Sequence, residues 1–205
     1  MPPAPAGSAP PERYELVIEN TNRGQNFSPP VIVLHRAGYR MFEVGEPPSV
    51  ALWRVAEDGS TTEFQALRDP DIDRVMVGRS VHRRRSPVFT TIFEAPADRV
   101  ISLIAMLTLT NDGFIAARAV ELPAAVGASV AAPLRAYDAG SEANTESCEH
   151  VPCEVHGRRM TEGAEGVVRP HAGIRGDGDI ALSRGWQGPD LGRLTITLLP
   201  QEDAS

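Results

Sequence analysis

Two acidic turns carry residue types that suit a hard cation. Thr110-Asn111-Asp112-Gly113-Phe114 directly follows an apolar run, and Tyr137-Asp138-Ala139-Gly140-Ser141-Glu142 follows another, so both present carboxylates at expected strand ends. Calcium takes several oxygen ligands from flexible loops, and Asp112, Asp138, Glu142 and Asn111 supply them beside backbone carbonyls. The same Asp and Asn residues also suit simple turn capping, and spacing alone does not choose between the two.

Other constellations are weaker. Asp69-Pro70-Asp71-Ile72-Asp73 opens like an EF-hand loop, but Arg74 stands where the glycine is needed and Ser80 where the bidentate Glu belongs, so that match is rejected. Gly176-Asp177-Gly178-Asp179 is an acidic turn that ranks second as a cation site. Cys148 and Cys153 lie in one polar loop, where a local disulfide is the favoured reading. A zinc set of Cys148, His150, Cys153 and His156 has suitable residue types without finger or ribbon spacing. Arg83-Arg84-Arg85 reads as a solvated loop before it reads as an anion site.

Composition removes whole classes of function. The formal charge is −7, so no cationic surface is indicated for nucleic-acid phosphates. All 20 basic side chains are arginine, which excludes Schiff-base lysine chemistry and the P-loop lysine. There is no Gly-x-Ser-x-Gly elbow, no His-Glu-x-x-His helix and no dinucleotide fingerprint, and the histidines are scattered. No apolar run is long enough to span a bilayer.

The elements that must position these turns read mostly as strands. Residues 1–13 form a Pro/Ala-rich linker of the kind that follows a removed export signal or anchor, residues 14–200 a single domain, and 201–205 a tail. Strands are expected at 14–21, 31–34, 88–94, 100–107, 114–117, 128–134, 166–169 and 191–199. Helices are expected over 46–59 and 61–67, with a further turn over 72–77. The 18 Gly and 18 Pro, short strands and a long loop from 138 to 165 favour an all-β antiparallel sandwich with short helices in its connections.

Taken in order, Phe27-Ser28-Pro29-Pro30-Val31 with His35, Phe42-Glu43-Val44-Gly45-Glu46-Pro47, the run Met106 to Phe114 and the turn Tyr137 to Glu142 resemble the spondin domain in its bacterial form. The resemblance spans Tyr14 to Leu199. It implies a C2-like antiparallel β-sandwich in a secreted, cell-surface or periplasmic protein. It further implies a calcium ion held by Glu94, Asp112 and Asp138, with Asn111 and Glu142 as additional loop ligands. The function implied is non-enzymatic adhesion or recognition of a glycan, lipid-linked sugar or surface protein. The alternative is a metal-dependent hydrolase of an extracellular polymer, with His35 or His171 as base.

Overall fold

The computed structural model describes residues 11–83, 88–153 and 157–201. Nine strands form one antiparallel sheet: β1 (Glu12–Asn20), β2 (Val31–His35), β3 (Ile72–Val77), β4 (Val88–Ala95), β5 (Val100–Met106), β6 (Gly113–Glu121), β7 (Ser129–Asp138), β8 (Arg169–Pro170) and β9 (Asp190–Leu198). Their order is β3-β2-β5-β6-β7-β9-β1-β4, with β8 as a short addition to β7. The sheet curls so that its edges approach: the β4 ring of Phe89 packs against Gly78, just after β3, and Arg79 donates to the Val88 carbonyl at 3.4 Å. The all-β, sandwich-like expectation therefore holds, with one continuous sheet folded on itself supplying both layers.

Alternation of side chains builds the inner core. In β1, Tyr14, Leu16 and Ile18 are fully buried, while Glu15, Val17 and Glu19 turn outward. They meet Ile32 and Leu34 of β2, Leu103 and Ala105 of β5, Ile115 of β6, Leu134 of β7 and Leu194 and Ile196 of β9. A second apolar cluster lies on the outside of β2, β5 and β6, where Val31, Val33, Ile104, Phe114 and Ala116 pack under two helices. Strand β5 is consequently buried on both faces, which explains a sequence that is apolar at every position but Ser102.

The helices are α1 (Val50–Asp58) and α2 (Thr62–Ala66). Ser49 accepts the Leu52 N–H to start α1, and Gly59, at φ 68°, ends it in the left-handed conformation. Its buried face is Ala51, Leu52, Val55 and Ala56, while Val50 is exposed and Trp53 half-buried.

Two elements differ from expectation. Residues 72–77 form edge strand β3, not a helical turn: Ile72, Val75 and Met76 mimic helical spacing, but the open side of β2 takes the backbone hydrogen bonds of the segment. The strand expected over 166–169 is reduced to the Arg169–Pro170 pairing with Asp138 and Tyr137. Most of the 1–13 linker and the 201–205 tail lies outside the described residues, as do Arg84, Arg85 and His156.

Candidate functional site: a buried acid pair under a long loop

Strands β6 and β7 pair so that Gly113 lies opposite Asp138, which places Asp112 and Asp138 at the same end of the sheet. Both are buried, at 0% and 1% exposure. The backbone there admits only glycine at two points. A Cβ on Gly113 would stand 2.5 Å from the Thr110 hydroxyl, and Gly140, at φ 69°, approaches the backbone of Val167 too closely for one.

Residues 139–153 and 157–189 fold over this end and are held by buried polar groups. One Asp112 oxygen, Oδ2, accepts the N–H groups of Ser141 (2.6 Å) and Glu142 (3.0 Å) and the Ser141 hydroxyl (3.2 Å). Asp138 Oδ1 accepts the Gly140 N–H at 2.7 Å, and its Oδ2 accepts from Asn144 at 2.6 Å and Arg169 at 3.2 Å. Asn111 Oδ1 accepts the Thr145 and Glu146 N–H groups, and its amide donates to the Thr145 hydroxyl. Asn111 therefore acts as a loop clamp, with its carbonyl oxygen taken up by two backbone donors.

The other Asp112 oxygen, Oδ1, is buried and has no hydrogen-bond partner. Leaving a carboxylate oxygen in this state is costly unless the group is protonated or meets a cation. Burial first, and the neighbouring Asp138 charge second, push the Asp112 carboxyl up to about 7, against the lowering effect of the donors on Oδ2. Arg169, which also pairs with Glu165, compensates Asp138. Asp112 has no such cation among the described residues.

Glu142 turns a different way. Its Oε1 accepts the Met160 N–H at 2.7 Å, and burial, followed by the charges of Glu57 and Asp112, pushes it up to about 7. Its second oxygen has no hydrogen-bond partner among the described residues, and Glu142 is one of the residues lining a cleft beside α1.

Glu94 does not join the acid pair. It is exposed, opposite Arg13 at the start of β1, whose neighbour Tyr14 pairs with Leu198 near the start of β7. Asp138 is at the end of β7, so the register places Glu94 at the opposite end of the sheet. A strand of this length separates the two ends by roughly 30 Å. Among the described residues, no three His, Cys, Asp or Glu side chains stand close enough to hold an ion, so an ion at Asp112 and Asp138 would draw further oxygens from backbone or water.

Of the two histidines considered as bases, His35 is removed from the pair. It is buried beneath a β5–β6 bulge, bonded to the Arg36 carbonyl and the Ser102 hydroxyl, which also accepts the Ala119 N–H. His171 is near the pair: its Cδ2 crowds Gly113, and burial lowers its pKa against the opposing pull of the Asp138 charge. His171 Nδ1 accepts the Gly173 N–H, leaving a buried Nε2 without a partner.

The cysteines form a disulfide, Cys148 to Cys153, which takes them out of any zinc set; His150 bonds the Thr145 hydroxyl. Asp179 of the second acidic turn accepts the Cys148 N–H and the Ser147 hydroxyl, and Asp69 accepts the Asp71 N–H. Both are turn caps.

Sequence reading missed Glu146. Buried and at φ 53°, it accepts the N–H groups of Arg175, Gly176 and Asp177 and anchors the far part of the loop. It also missed the pair of Glu57 and Arg159, whose two hydrogen bonds are 2.7 and 2.9 Å long. Neither leaves a local signal, since each partner is distant in the chain. No family model matches the chain, and no curated protein matches it.

Proposed function

We propose that this is a spondin-type recognition module, secreted or displayed at the cell surface, whose ligand-facing loops are organised by calcium at Asp112 and Asp138. The observation that carries this reading is the buried, unpartnered Asp112 Oδ1 beside a second buried carboxylate. An oxygen-only donor set at the root of a loop suits calcium better than a transition metal. Asp112 supplies the free oxygen, Asp138 the second carboxylate, and the bound charge offsets their repulsion. The covering segment then stays closed over the site and presents its outer surface to a glycan, lipid-linked sugar or surface protein. Non-catalytic recognition is favoured over hydrolysis because the atoms hydrolysis would have to use, Asp112 Oδ1 and His171 Nε2, are both buried.

The test is a thermal melt of chelator-stripped protein titrated separately with calcium and magnesium. The expected result is a saturable rise selective for calcium, worth about 2.7 kcal/mol at a free concentration one hundred times Kd. The same rise should be absent from Asp112→Asn. No rise with calcium, or an equal rise in the variant, would overturn the site.

A further inference from the structure

The cleft beside α1 has the chemistry of a binding site in its own right. It is about 260 Å³ and is bordered by Trp53, Arg54, Glu57, Glu142, His150 and Arg159. Arg159 is fixed on two sides: Glu57, itself buried, accepts from Nε and Nη2, and the guanidinium lies 4.2 Å from the centre of the Trp53 ring. A guanidinium has five N–H donors, so three remain after those two bonds. They are held in place before any ligand arrives, which lowers the cost of binding. Across the cleft, Glu142 is 3% exposed and keeps one oxygen without a hydrogen-bond partner among the described residues.

Charge selects the ligand class. Arg159 is matched by Glu57, and Arg54 by Asp58 at 2.7 Å and Glu63 at 3.5 Å. A strongly anionic group would meet Glu142 and Asp58, and a cationic group would meet Arg54 and Arg159. A neutral ligand with adjacent hydroxyls both donates to Glu142 and accepts from Arg159, with no net charge to desolvate. We propose that this cleft binds one neutral, hydroxyl-rich sugar residue between Glu142 and Arg159. The inference deepens the recognition reading above by naming the ligand class and its place. It assigns Glu142 to the sugar and leaves the cation to Asp112 and Asp138.

The test uses Trp53 as the reporter in a Trp186→Phe background, titrated with the methyl glycosides of mannose, glucose, galactose and N-acetylglucosamine. Inorganic sulfate and putrescine serve as charged comparators. A saturable fluorescence change with at least one neutral glycoside is expected, weakened at least about tenfold in Glu142→Gln and in Arg159→Lys, both checked for a native near-ultraviolet spectrum. No saturable change with any glycoside, tighter binding of sulfate or putrescine, or unaltered glycoside binding in both variants would overturn it. Calcium melts and glycoside titrations of the Trp186→Phe parent, with Glu142 and Arg159 intact, keep the two claims apart. A retained calcium shift without sugar binding would reject the cleft alone, and sugar binding without any calcium shift would reject the cation reading alone.

Discussion

The two ends of the curled sheet hold acidic residues in contrasting states. At one end, Asp112 and Asp138 are buried beneath the covering segment and accept hydrogen bonds from its backbone and side chains. At the other, Glu94 stands exposed on an edge strand. A carboxylate at a strand end acquires chemical leverage only when a covering loop removes its water. What distinguishes Asp112 is the combination of burial, a like charge next to it and an oxygen left unmatched.

The contrast is broken most severely by truncating the covered end. Asp138→Ala leaves Arg169 without one of its carboxylates and strips the Gly140 and Asn144 donors of their acceptor. It should cost about 3 kcal/mol of unfolding free energy in urea titration. Glu94→Ala should stay within about 0.5 kcal/mol of the parent. Equal costs would erase the distinction between the two ends.

The covered end also sets a pH dependence. Asp112 and Glu142 are held up to about 7, against ordinary values of 3.8 and 4.5, so the folded chain binds more protons than the unfolded chain between those limits. In chelator, the contribution of these groups to stability should therefore be greatest below about pH 4, fall as pH rises to about 7, and level off above it. Asp112→Asn should flatten part of that fall. A parent protein whose stability rises over the same range would contradict the burial of unmatched carboxyls.

A smaller effect is expected within the loop itself. The Cys148–Cys153 bridge closes a short ring, with a sequence separation of 5, so Cys148→Ser with Cys153→Ser should cost about 2 kcal/mol or less. A larger loss would mean that the bridge, and not Glu146 and Asn111, holds the covering segment.

Much of this was legible in the residue pattern. The alternation in β1 and the run of β5, apolar but for Ser102, follow from one-sided and two-sided burial. The two acidic turns are plain from their residue types, whereas the close backbone approaches at Gly113 and Gly140 emerge only in the structure. The assignment of Glu94 rested on aligning a motif, which says nothing about strand register. The register sends that residue to the wrong end. Edge strand β3 was misread because its periodicity fits a helix equally well until β2 is there to pair with it. Glu146 and the pair of Glu57 and Arg159 were invisible because their partners come from across the chain, with Arg159 102 positions from Glu57.

The central claim concerns where a cation sits, and anomalous diffraction from crystals grown in calcium addresses it most directly. The account predicts a peak between Asp112 and Asp138, within about 2.3–2.6 Å of Asp112 Oδ1. A fully ordered map with no peak there, or with the ion beside Glu94 instead, would contradict it.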